Sequence, residues 1–168
     1  RVVPQLVPII KELNNRIGFV TQKAVLFSGT VESNIALGEK NGHKADREEV
    51  EEAAAIAQAD DFIEQMDGTY DAPIAQNGTN VSGGQKQRIS IARAVAKKPE
   101  ILIFDDSFSA LDYKTDKKLR QTLEEETKDV TKVIVAQRIG TIREADNIIV
   151  LDHGQIVGQG THEELLKT

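Results

Sequence analysis

Two short stretches carry residue types that could handle a phosphate and a metal ion. The first is Val81-Ser82-Gly83-Gly84-Gln85, followed by Lys86-Gln87-Arg88 and a strongly helical run through Lys97. Two glycines at a helix start let backbone N–H groups approach an anion closely, and the helix dipole adds favourable potential at that end. A plainer reading of the same residues is a Ser82 N-cap with a flexible Gly-Gly loop. The second stretch is ILIFDD, residues 101–106, an apolar run that ends in two acids. A carboxylate at the end of a buried parallel strand sits at the edge where such sheets bind ligands, and it can hold Mg²⁺ directly or through water. Asp105 alone could instead cap the following turn. Paired acids downstream of a Gly-Gly helix start weaken that alternative.

The elements that must position these residues are legible as short apolar runs. RIGFVT (16–21), ILIFD (101–105), KVIVA (132–136) and NIIVL (147–151) read as strands separated by helical patterns. Continuous apolar runs of this kind predict a mostly parallel sheet buried on both faces, in an α/β fold. Between the first two strands lie roughly eighty residues with almost no strand signal, which predict a helical insertion; it includes DREEVEEAAAIAQA (46–59), with Asp46 as its N-cap. Residues 113–128 read as a charged helix, and THEELLK (161–167) as a capped C-terminal one. Asp152-His153-Gly154-Gln155 joins two strands in a hairpin. RVVPQLVPII (1–10) holds two prolines and no assignable periodicity, and it reads as a junction.

Composition bounds the answer further. The chain has 168 residues and 39% hydrophobic content, enough for one domain with a real core. Twenty-one Lys and Arg against 27 Asp and Glu give a net charge of −6, which argues against a surface built to neutralise nucleic-acid phosphates. With no cysteine, neither a disulfide framework nor a Cys-based zinc site is possible. His43 and His153 sit in polar, turn-like surroundings and His162 near a helix start, so none reads as a ligand. The apolar runs are strand-sized, well below the ~20 residues of a membrane-spanning helix.

VSGGQKQR, ILIFDD and Ser109-Ala110-Leu111-Asp112 resemble, in order and spacing, the signature motif, Walker B motif and D-loop of ABC transporter ATPase domains. Gly18-Phe19-Val20-Thr21-Gln22 resembles the Q-loop, and LFSGTVESNIALG (26–38) and GTHEELL (160–166) resemble stretches of the exporter subgroup. The resemblance covers residues 11–168. It implies a P-loop NTPase-like, mostly parallel sheet core with a helical signature subdomain. On that pattern residues 1–10 stay unassigned, 11–38 hold the Q-loop strand and the segment after it, 39–97 the helical subdomain, and 98–168 Walker B, D-loop, switch loop and C-terminal core. It also implies ATP and Mg²⁺ as ligands and a head-to-tail pairing of two such domains. Ser82, Gly83, Gly84 and Gln85 would then contact the γ-phosphate bound on the partner. Asp105 would organise Mg²⁺, Gln22 would sense metal and attacking water, and Asp112 would couple the two sites. The expected partners are a second ABC half-transporter and the parent's transmembrane domain, at the cytoplasmic face of the cell membrane.

The sequence departs from this pattern in four places. The phosphate loop G-x-x-x-x-G-K-[ST] is absent, since no glycine is followed by lysine, so the chain is expected to lack the N-terminal third of the domain and to bind ATP weakly by itself. Asp106 stands where the family places a glutamate acting as general base, and a carboxylate one methylene shorter stops short of the water. Gln137 replaces the switch histidine; it can donate a hydrogen bond but carries no charge and shuttles no proton. Both changes fall in one site while VSGGQ, which serves the other, is intact. That split resembles heterodimeric exporters with one degenerate site. Gln76 also stands where exporters usually have an acid. The competing readings are a soluble ABC ATPase of DNA repair or translation, and a non-catalytic fragment.

Overall fold

The structure is a computed structural model that describes residues 6–40 and 42–167. In chain order the elements are α1 (Leu6–Arg16), β1 (Ile17–Val20), β2 (Gly29–Thr30), α2 (Val31–Ile35), β3 (Glu39–Lys40), β4 (His43–Lys44), α3 (Arg47–Ile56), α4 (Asp60–Ile63) and β5 (Pro73–Ile74). They continue with α5 (Gly83–Ala96), β6 (Ile101–Asp105), α6 (Tyr113–Glu126), β7 (Thr131–Val135), α7 (Ile139–Ile142), β8 (Ile148–Asp152), β9 (Gln155–Gly160) and α8 (His162–Leu165). The chain forms two compact units that meet in sequence between Val135 and Ala136.

The first unit is built on a parallel sheet in the order β1-β6-β7, with Val20 opposite Phe104 and Phe104 opposite Ile134. The expected parallel core is therefore present. One face of it, carrying Val20, Leu102 and Phe104, is fully buried against the helices. The expectation of burial on both faces fails: Phe19, Val133 and Val135, on the other face, are 54%, 48% and 52% exposed. Side chains alternate across a strand, and no described element of this unit covers that second face. A run that is apolar at every position is thus half open.

The long insertion between β1 and β6 is helical as expected, with two two-residue ladders, β2–β5 and β3–β4, stitched into it. Its α3 starts where Asp46 predicts. The Asp46 carboxylate accepts from the Glu49 amide at 3.0 Å and Glu49 returns the bond to the Asp46 amide at 3.1 Å. Val50, Ala53, Ala54 and Ile56 of α3 are buried in the same core as Ile89, Ile91, Ala92 and Val95 of α5. Apolar or small on nearly every side, α5 is the buried helix of the unit. It lies so close to β1 that a Cβ on Gly18 would come within 2.9 Å of the Ala94 carbonyl oxygen and of Leu102 Cδ2.

The stretch 1–10 also differs from its reading. Residues 1–5 lie outside the described residues, and from Leu6 onward the chain is helix α1. Pro8 does not break it, because the first turn of a helix has no intrahelical acceptor for the missing N–H.

The second unit holds the β8–β9 hairpin, turned at His153 and Gly154 with φ of +46° and +77°, and α8, capped by Thr161 and Glu164 as its sequence predicts. Among the described residues no helix is long and apolar enough to cross a membrane.

Two outcomes follow from this packing. Gly18→Ala forces the helix and strand apart and should cost about 1–3 kcal/mol, read as a lower denaturant midpoint. Glu49 provides the pH test: the Lys98 ammonium at 2.9 Å, His43 at 2.8 Å and the Asp46 amide hold its carboxyl down to about 2, against an ordinary 4.5. A carboxyl depressed in the folded state stabilises above its unfolded value and stops doing so as pH falls through the folded one. Acid unfolding of Glu49→Gln should therefore show a flatter stability curve than the native chain between pH 4.5 and about 2.

Candidate functional site

The parallel strands deliver their C-terminal ends to one edge, and the predicted Walker B acids lie there. Asp105 is the last residue of β6, opposite Val135 of β7, and is exposed. Asp106 then turns the chain with φ +46°, a left-handed conformation that aspartate tolerates better than most residues. Its amide donates to the Val135 carbonyl at 2.9 Å, and its own carbonyl accepts from the Ser109 hydroxyl at 2.8 Å. The turn is thereby fixed from both sides.

Gln22 reaches this turn from the end of β1. Its Nε2 donates to Asp106 Oδ2 at 3.1 Å, so two of the predicted site residues, 84 positions apart in sequence, are in direct contact. The amide oxygen of Gln22 takes no part in that bond. The chain before Gln22 is pinned by two residues that the sequence reading did not single out. The Ser107 hydroxyl donates to the Val20 carbonyl at 2.8 Å in a buried contact. Gln87 Nε2 donates to the next carbonyl, Thr21, at 3.2 Å. The available signals were a polar residue at a buried position of an otherwise apolar helix and a small hydroxyl directly after the paired acids.

The signature residues form the N-terminus of α5. Gly83 and Gly84 are its first helical residues, so the Gly-Gly pair is helix and not flexible loop. Ser82 is the N-cap: its Oγ accepts from the Gln85 amide at 3.2 Å, while Gln85 Oε1 accepts from the Ser82 amide at 2.8 Å. In this cap the hydroxyl accepts, which leaves its proton free to donate outward. Gly84 lies near the D-loop, where an added Cβ would stand 3.7 Å from the Ala110 carbonyl oxygen. An added Cβ on Gly83 meets nothing within 4 Å. Among the described residues no hydrogen bond joins Ser82, Gly83, Gly84 or Gln85 to Gln22 or Asp106.

Asp112 and Gln137 take no part in the Gln22–Asp106 hydrogen bond. Asp112 is the N-cap of α6, and the Thr115 hydroxyl, the Thr115 amide and the Lys114 amide hold its carboxyl below the usual range. Gln137 belongs to the second unit, exposed in the bend before α7. Gln76 is exposed in a short 3₁₀ turn ahead of α5.

Among the described residues no three His, Cys, Asp or Glu side chains gather as a metal cage. One strand-end carboxylate still suits Mg²⁺, which takes one or two protein carboxylates and fills its remaining positions with waters and substrate phosphates. A helix N-terminus bearing an outward hydroxyl and a parallel-sheet edge bearing an acid and an amide are the two kinds of group with which α/β proteins handle phosphate.

Residues 4–109 match the profile of the ABC transporter family, and the chain belongs to that family. It is a nucleotide-binding domain sequence of the exporter type. It is 47% identical over 157 residues to Multidrug resistance protein 1 of Entamoeba histolytica, a match covering 94% of this chain and 12% of that protein. It is 45% identical over 162 residues to a putative ABC transporter ATP-binding protein of Mycoplasma genitalium, covering 92% of this chain and 26% of the relative. A bacterial Atm1-family ABC exporter solved with ATP bound superposes with a TM-score of 0.86 at 39% identity, over 92% of this chain and 27% of that one. The chain therefore spans between 12% and 27% of the length of these relatives.

Ser107→Ala tests the geometry of this edge. It leaves the buried Val20 carbonyl without its donor and should cost about 1–3 kcal/mol in unfolding free energy. Nothing at the signature helix should change, so the loss is read as stability alone.

Proposed function

We propose that this chain is part of the ATP-driven engine of an ABC exporter, coupling ATP binding and hydrolysis to substrate export across a membrane from its cytoplasmic face. The observation that supports this most is the open space at Gly83. A glycine in a helix costs about 1 kcal/mol relative to alanine, and nothing within this chain requires one there. An anion that must reach the backbone amides of the first turn of α5 does require it. With Ser82, Gly84 and Gln85, this N-terminus would take the γ-phosphate of an ATP held on a second ABC domain.

On its own sheet edge the chain would hold the metal and the water of another ATP. Asp105 would bind Mg²⁺, with Gln22 as its neighbour; bound there, the ion supplies neutralisation of charge on the phosphate oxygens. The composite site also needs a phosphate loop, which these 168 residues do not contain. Asp106 in the base position and Gln137 in the switch position make this edge the slow one of the pair. Asp112 would link the two sites, and the segments 11–38, 39–97 and 98–168 would act as Q-loop strand, signature subdomain and catalytic core. The partner would be a second half-transporter with an intact base. Its exposed acidic character gives the chain no role toward nucleic acid.

The test is ATP hydrolysis by the full-length parent in membranes, alone and with its partner half-transporter. Activity should appear only in the pair, and Gly83→Asp, which puts a negative side chain in the phosphate's place, should lower it by at least about 100-fold. Asp106→Glu with Gln137→His should add a second hydrolytic site and raise turnover, since a positioned base contributes about 10²- to 10⁴-fold. Strong activity of the parent alone would overturn the assignment of a slow site.

A further inference from the structure

The bond from Gln87 to Thr21 connects the two halves of this machinery within one chain. Gln87 is 1% exposed, in the second turn of α5. A glutamine amide taken out of water is costly unless it is hydrogen-bonded, and its amide donates to the Thr21 carbonyl at 3.2 Å. Thr21 lies just beyond the end of β1, where the parallel ladder no longer supplies a donor for its carbonyl. The preceding carbonyl, Val20, is held by Ser107. Two successive carbonyls are thus fastened from two different elements, one from the signature helix and one from the turn after β6. The very next residue is Gln22, whose side chain rests on Asp106.

We propose that Gln87 is a positioning residue that places Gln22 on Asp106 and ties that pair mechanically to the helix bearing Ser82, Gly83 and Gly84. The inference rests on the functional reading above, in which those three residues serve a partner's ATP while Gln22 and Asp106 serve the chain's own. Ser82 and Gln87 are five residues apart, about 7.5 Å along a helix at 1.5 Å per residue. A 14-residue buried helix moves as a body, so a displacement of its N-terminus on engaging phosphate carries Gln87 with it. The Thr21 carbonyl follows, and with it Gln22, one Cα–Cα step of about 3.8 Å further on. Any such coupling is reciprocal: occupancy at the Gln22 edge biases the affinity of the signature end by the same factor.

The test uses the full-length parent with Gln87→Leu, which keeps apolar bulk in α5 but removes the donor, and with Gln87→Glu, which keeps the shape and faces the carbonyl with an acceptor. In hydrogen–deuterium exchange, peptides over residues 21–24 should exchange at least severalfold faster in both variants. Peptides over α3, which packs on α5, should be unchanged. Faster exchange in α3 to the same degree would mean that Gln87 only fills the core, and would overturn the proposal. In the assembled pair, Gln87→Leu should lower ATP turnover about 2- to 30-fold, the range found for residues that transmit between sites. Adding it to Gln22→Ala should cause no further loss, because it acts through Gln22. Penalties that multiply would overturn the proposal. A wild-type pair that hydrolyses no ATP would sink the functional reading instead, and the exchange measurement would still decide the role of Gln87.

Discussion

The first unit depends on α5 lying against β1 with no side chain between them. Gly18 makes that approach possible, and the small residues of α5 match it. Once the helix is seated there, its polar side chains reach backbone that a more distant helix could not. Gln87 takes the Thr21 carbonyl, Arg93 takes the carbonyls of Val25 and Asn34 at 3.0 and 2.7 Å, and Lys97 takes those of Ile17 and Asn14. Each bond takes a backbone carbonyl as acceptor, so the helix is both the apolar core of the unit and a donor set for the chain around it. Arg93 also stacks over the Phe27 ring at 5.6 Å, and Asn34 closes the same knot by exchanging two 2.8 Å bonds with the Phe27 backbone. The segment 25–34 that follows the Q-loop is therefore fastened to the signature helix as firmly as the Q-loop itself.

The two glycine sites explain different things. Gly18 is required by this chain's own packing, and its neighbours can be named atom by atom. Gly83 is required by nothing in the chain, since its missing side chain would stand in solvent. A residue that costs helix stability without an internal reason points to an external one, and the first turn of a long buried helix is where an anion would supply it. The open sheet face raises the same point at larger scale: Phe19, Val133 and Val135 are apolar, strand-bound and about half exposed. A relative match that covers 12% to 27% of the longer proteins gives the chain a larger setting in which such a surface belongs.

What could be read from the sequence was what depends on near neighbours. The N-caps at Asp46, Ser82 and Thr161 follow from residue types three positions apart, and the strands from runs of branched residues. Of the residues expected at the site, the paired acids stand out as the end of an apolar strand run, while Gln22 is picked out by the family resemblance. Gln87, Ser107 and Arg93 are not legible, because the role of each is set by a carbonyl some 60 to 87 positions away in the chain, which no local pattern announces. The apolar runs by themselves predict burial on both faces, because such a run reports what a strand could bury, while the neighbours decide what it does bury. Helix α1 was hidden by Pro8, whose effect depends on whether it falls in the first turn or beyond it.

Asp106 joins these threads. Its side chain is a methylene short for the base position that the family resemblance implies, and its backbone is left-handed, a conformation in which a short acid is comfortable. The same carboxylate accepts from Gln22, so the shorter reach is spent on a neighbour inside the chain. On the proposed reading, the group that would face water in the family pattern is engaged with Gln22 instead. On the same reading, that arrangement would let the edge register the position of α5, through Gln87 and Gln22, in place of activating a nucleophile.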